Sequence, residues 1–193
     1  MTNPIRIAVI SGSLRDGSYN TALARYIAKH MESMGAVEID EISLKELDLP
    51  MFSEDLEAEN FPEKAIDLKK RLIASDGMLM TCPEYNGSIT GALKNAIDWA
   101  SRPRPDEKQL ECFSGKVGAL AAASPGALGG LRGMRHVRQI LAGIQVLMTP
   151  AEYALGSAHQ AFDDNGDLKD DKAASMAKNV GSQLVETTQK LKG

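Results

Sequence analysis

Five strand-like segments alternate with helix-period segments along the chain, and this alternation restricts the fold more than any other feature. The segments read IRIAVI (5–10), VEIDEI (37–42), GMLMTC (77–82), KVGALAAAS (116–124) and IQVLMT (144–149). GMLMTC is apolar on both faces, as a strand covered by helices on either side must be. VEIDEI alternates, which places it nearer an edge. Between them the spacing predicts helices over about 18–34, 62–74, 90–101, 130–142 and 170–191. Leu23, Ile27, Met31 and Met34 form the stripe of the first, and Gly35 ends it. Leu93, Ala96, Ile97 and Ala100 form that of the third, and Pro62 fits a first helical turn. Residues 43–60 read as irregular and acidic.

Alternation of this kind predicts an α/β fold: one parallel sheet, doubly wound, with helices on both faces. Right-handed crossovers leave few topologies, and five strands suit the order 2-1-3-4-5. A length of 193 residues fits one domain spanning 1–193. Ligands of such sheets bind beyond the carboxyl ends of the strands, where the winding direction reverses.

The unusual residues fall at that edge, in three loops. Loop one follows the first strand as Gly12-Ser13-Leu14-Arg15-Asp16-Gly17-Ser18-Tyr19-Asn20. A helix N-terminus offers unpaired N–H groups and partial positive charge, so it attracts anions. Ser13, Ser18 and Asn20 add neutral donors, Arg15 adds a charged one, and Gly12 and Gly17 let the backbone curl. A capped helix would account for Ser18 but not for the rest. Neither G-x-x-x-x-G-K-[ST] nor G-x-G-x-x-G is present, so the loop suits a single phosphate. Loop two, Pro83-Glu84-Tyr85-Asn86-Gly87-Ser88, suits a flat heteroaromatic ligand, although Asn-Gly equally suits an ordinary turn. Loop three, Ser124-Pro125-Gly126 to Gly130, leaves the backbone open to close approach, or merely punctuates the chain before a helix.

In combination the motifs GSLRDGSYN, PEYNGSITGALKNAIDW and SPGALGG resemble the NAD(P)H-dependent FMN reductase family, over roughly residues 5–190. That family is flavodoxin-like and includes quinone and chromate reductases. The resemblance implies FMN as cofactor. Ser13, Arg15, Ser18, Tyr19, Asn20 and Thr21 match its phosphate positions. Pro83, Glu84, Tyr85, Asn86 and Gly87 match its ring loop, and Ser124, Pro125 and Gly126 the third contact. It further implies NADPH or NADH as hydride donor, small-molecule electron acceptors such as quinones, and a homodimer or homotetramer. Thr90 departs from the pattern, since many relatives have proline there; the start of the third helix should feel this more than the flavin. Two other readings stay open on the same fold: a one-electron carrier that does not oxidise NAD(P)H, and a non-catalytic binding module.

The remaining signals are smaller. A formal net charge of −4 argues against nucleic acid and anionic membrane as partners. The chain lacks an apolar run of membrane-span length and a signal-peptide pattern, and it is expected to be cytoplasmic. Cys82 and Cys112 form no C-x-x-C, and no metal site is expected. Arg102, Arg104, Arg132, Arg135 and Arg138 suit phosphates of the nicotinamide donor, a neighbouring subunit, or a solvated helix face. His30, His136 and His159 read as structural or exposed. DDNGDLKDD has Leu168 where a calcium loop needs glycine, and reads as a tight turn. Met51 and Phe52 could roof the site.

Overall fold

The computed structural model describes residues 4–192. Five strands form one parallel sheet: β1 (Ile5–Ser11), β2 (Val37–Ser43), β3 (Gly77–Thr81), β6 (Val117–Ala123) and β7 (Leu147–Leu155). Their spatial order is β2-β1-β3-β6-β7, the order expected from the alternation. Ile7, Val9 and Leu79 face α1 (Tyr19–Ser33) and α7 (Asp171–Lys192). Ala8, Ile10, Met78 and Met80 face the other layer, which holds α4 (Glu63–Ile73), α5 (Gly91–Ser101) and α6 (Leu131–Gly143). The central strands β3 and β6 are buried at every position, and their side chains are apolar except Thr81 at the end of β3. The segment 163–170 is the tight turn its sequence suggested. Asp163 Oδ1 accepts from the backbone N–H of Asn165 and Asp167, both at 2.9 Å.

Three regions differ from the expectation. Residues 43–60 contain two short helices, α2 (Leu44–Leu47) and α3 (Glu54–Glu59). Neither is long enough to display a period; their only sequence signature is the cap. Ser43 Oγ accepts from Glu46 N at 3.3 Å, and Ser53 Oγ from Leu56 N at 3.1 Å. The fifth long strand lies later than expected. Ile144 to Val146 instead close α6, with Val146 N donating to Leu141 O. The strand then runs on through Pro150, because β7 is an edge strand and its pairing with β6 is irregular between Gly118 and Leu120. There Ala151 N turns to Gln183 Oε1 at 3.0 Å. Third, loop two is a small antiparallel hairpin, β4 (Glu84–Tyr85) with β5 (Ser88–Ile89). Asn86 and Gly87 have φ of +52° and +77°, the paired positive values that a two-residue turn needs.

Candidate functional site

The three loops meet beyond the carboxyl ends of β1, β3 and β6. Loop one descends from Ser11 to the N-terminus of α1. Ser18 caps that helix, its Oγ accepting from Thr21 N at 3.4 Å. Ser13 Oγ accepts from Arg15 N at 3.2 Å and so holds the loop in a curl. Among the described residues, the backbone N–H groups of Asp16 through Asn20 meet no protein acceptor. Arg15 is exposed, lies 5.5 Å from the centre of the Tyr19 ring, and forms no ion pair among the described residues. Asp16, the loop's own carboxylate, is engaged by Lys45 of α2 at 2.6 Å. A cavity of about 500 Å³ opens over this loop, closed on its far side by His159, Phe162 and Asp163.

Two residues of the same motif point elsewhere. The Asn20 amide is buried and grips the backbone of Ala123 on both sides, donating to its O at 2.8 Å and accepting from its N at 3.0 Å. Its side chain therefore ties α1 to the end of β6, and only its N–H faces loop one. Thr21 Oγ1 donates to Ser11 Oγ at 3.0 Å, joining α1 to the end of β1.

Loop two starts from buried Cys82 and Pro83. Burial pushes the Cys82 thiol up, so it stays protonated and inert. Tyr85 stands 58% exposed on the hairpin. Glu84 turns away from it toward α6: Oε2 accepts from Arg132 N at 3.0 Å and Gly133 N at 3.2 Å, while Oε1 accepts from Arg132 Nε at 2.8 Å and from its Nη2. Burial would raise its carboxyl; the Arg132 guanidinium and the two N–H groups outweigh that and hold it below the usual range. Thr90 closes the hairpin's far end. Its buried hydroxyl donates to Gly12 O at 2.7 Å and accepts from Leu93 N at 3.3 Å as the cap of α5. Thr90 thus links loop one to loop two, a bond that proline could not make. Loop three is shaped by its own backbone: Ser124 N donates to Leu155 O at 3.1 Å, and Gly129 N to Gly126 O at 3.2 Å. Pro125 and Gly126 are exposed.

The five arginines considered as phosphate or subunit contacts all have an internal carboxylate. Arg102 pairs with Glu57, Arg104 with Glu107, Arg132 with Glu84, and Arg135 and Arg138 with Glu152. His30 meets Ser182 and His136 meets Ser88, each at 2.9 Å. Phe52 packs edge-on against Trp99, whereas Met51 stands 74% exposed. Sequence reasoning missed His159 as a wall of the loop-one cavity, the clamp of Asn20 on Ala123, and the two bonds of Thr90. The first lies in a short 3-10 helix without a pattern; the Asn20 clamp and the Thr90–Gly12 bond join residues 103 and 78 positions apart, while the Thr90–Leu93 bond is a local cap.

A row of unmatched N–H groups beside one unpaired guanidinium fits a phosphate dianion, and an exposed aromatic hairpin at the same sheet edge fits a flat ring. Fold and site together define a flavodoxin-like mononucleotide-binding protein. The family comparison makes this particular. The NADPH-dependent FMN reductase family matches residues 5–160, and the chain belongs to it. Over 194 aligned positions it is 38% identical to an NAD(P)H-dependent FMN reductase of Pseudomonas aeruginosa, covering 100% of both chains. It is 40% identical over 171 residues to a quinone reductase of Pseudomonas putida, covering 88% of each. Among solved structures it is similar to the flavoenzyme NAD(P)H:(acceptor) oxidoreductase of Paracoccus denitrificans, with a TM-score of 0.83, 32% identity, and 96% and 98% of the two chains covered. The chain is an oxidoreductase of the flavin type.

Proposed function

We propose that this chain reduces quinones and comparable small electron acceptors with NAD(P)H, through FMN held at the carboxyl edge of its sheet. The observation that carries this reading is the row of unmatched N–H groups from Asp16 to Asn20 beside Arg15. Backbone donors at a helix N-terminus bind a phosphate without any reorganisation, and Arg15 adds a charge-assisted bond. Ser13 and Ser18 offer hydroxyls in the same curl, while Tyr19, Asn20 and Thr21 set the helix start that aims the donors. The ring site lies beside Pro83, Glu84, Tyr85, Asn86 and Gly87, with Ser124, Pro125 and Gly126 across from them. When bound there, FMN supplies the redox chemistry, taking a hydride from the nicotinamide and passing the electrons to the acceptor.

The chain's own part is to bind, orient and exclude water. No side chain has to act as nucleophile or general base, which agrees with the protonated, buried thiol of Cys82. Tyr85 and Met51 leave large apolar surface exposed at this edge. A second copy of the chain covering them would complete the roof of the site, in a homodimer or homotetramer. Two buried, unpaired cysteines suit a cytoplasmic setting. The chain acts as one flavin-binding domain. Anaerobic stopped-flow mixing of FMN-loaded protein with NADPH tests the reading. The yellow flavin band should bleach and return when a quinone is added; a band that persists would refute it.

A further inference from the structure

We propose that Glu84 is a positioning residue whose side chain never touches the flavin: its carboxylate caps α6 from outside, and so sets the distance between the Tyr85–Gly87 turn and loop three. The inference rests on the FMN reading above and deepens it. It starts from a deficit in α6. The helix begins after Gly130, which has φ +92° and no side chain to act as a cap; Leu131 N reaches Leu128 O at 3.0 Å, but Arg132 N and Gly133 N have no backbone acceptor among the described residues. Glu84 makes up that deficit across 48 positions of sequence. Oε2 takes both Arg132 N and Gly133 N, and Oε1 takes two nitrogens of the Arg132 guanidinium. An ionised carboxylate has about four acceptor sites. All four are engaged within the protein, and only 9% of the side chain is accessible. No lone pair is left to face a ring in front of the hairpin.

The rest of the contact shows what the cap holds. Gly133 comes so close to the hairpin that a Cβ there would lie 2.8 Å from Ser88 O, so the helix and β5 touch backbone to backbone. Ser88 Oγ and His136 Nδ1 meet one turn further on at 2.9 Å. The Arg132 guanidinium, 62% exposed, runs beneath the turn, and a Cβ on Gly87 would be 3.8 Å from its Cζ. Loop three leads directly into α6, and loop two is the hairpin itself. Fixing hairpin to helix therefore fixes the gap in which a flat ring would lie. Arg132 acts with Glu84 as one unit, since it is both the guanidinium and one of the two backbone donors.

The test uses apoprotein and two readouts. FMN fluorescence quenching gives the dissociation constant, and amide hydrogen exchange without flavin reports the clasp itself. Glu84→Gln keeps the shape and an acceptor, so it folds; Arg132→Ala removes the guanidinium only. Each should weaken FMN by roughly tenfold, and the double variant should be no worse than the weaker single one, because both remove the same unit. In Glu84→Gln, exchange should quicken together at 85–88 and 132–136. Loss of FMN affinity in Glu84→Gln with Arg132→Ala unchanged would mean that Glu84 contacts the flavin directly, and would overturn the proposal. So would variants that bind FMN like the parent. A parent apoprotein that takes up no FMN would instead refute the function proposed above; joint quickening of the two segments would then still decide whether the clasp exists.

Discussion

Two polar clusters in this protein use their hydrogen-bonding groups in opposite ways. Beneath α4, Lys69 is only 3% exposed, and its ammonium is fully engaged. It donates to Ala100 O at 3.1 Å and Arg102 O at 2.6 Å, and lies 2.9 Å from Glu107 Oε2. The Glu107 contact is one of charge, since that oxygen makes no hydrogen bond. The cluster ties α4 to the end of α5 and the segment after it. At the head of α1 the reverse holds: five successive N–H groups and a guanidinium have no partner among the described residues and face a cavity of about 500 Å³. A buried polar group left without a partner is costly, so donors inside a fold are matched, whereas a site kept for an anion leaves them toward solvent. The difference separates residues that hold the fold from residues that hold a ligand.

Substitutions should sort along the same line. Lys69→Ala should have the largest effect on stability, about 3–5 kcal/mol, because it removes the buried ammonium from two carbonyls and leaves the Glu107 carboxylate only Arg104, at 3.8 Å. Denaturant melts would measure that loss, while the FMN affinity of the folded protein should not change. A loss under about 1 kcal/mol would break the comparison from the structural side. Arg15→Ala should give the opposite signature. Losing a charge-assisted bond of about 1.5–3 kcal/mol should weaken FMN by roughly ten- to a hundredfold. Its apoprotein should melt within about 0.5 kcal/mol of the parent.

Asn20→Ala sharpens the contrast, because Asn20 belongs to both groups. Its amide serves Ala123 and its N–H faces loop one, so stability should fall by about 1–3 kcal/mol and FMN affinity should fall with it. The smallest effect concerns pH. Asp40 is buried, which raises its carboxyl, but Arg71 and Arg6 outweigh this and hold it below the usual range. A carboxyl lowered in the folded state adds stability above its unfolded value of about 3.9, and that stability is lost as pH falls through the folded value. Asp40→Asn should therefore destabilise evenly from neutral pH down to about pH 4, with the difference from the parent shrinking below it. Urea melts across that range would show this, and FMN affinity at neutral pH should stay the same.

Much of this was legible in the residues. IRIAVI and GMLMTC announce central strands because burial on both faces demands mostly apolar side chains, with Arg6 and Thr81 the exceptions, and the alternation then leaves few strand orders. Loop one was legible because its surplus of donors had no use in packing. Other features lacked a local signal. α2 and α3 are too short for a period, and Pro150 suggests a strand end unless the strand is known to be an edge. In Glu84, Asn20 and Thr90 the residue type is visible but the partner is not. Each bonds to backbone far away in sequence, a choice made by the tertiary fold.

The most direct measurement compares FMN with riboflavin, which has the same rings and no phosphate, on one apoprotein preparation. Capture of the phosphate by the N–H row and Arg15 predicts that FMN binds tighter by about a hundredfold or more, with the gap narrowing in Arg15→Ala. Equal affinities for the two flavins would contradict it.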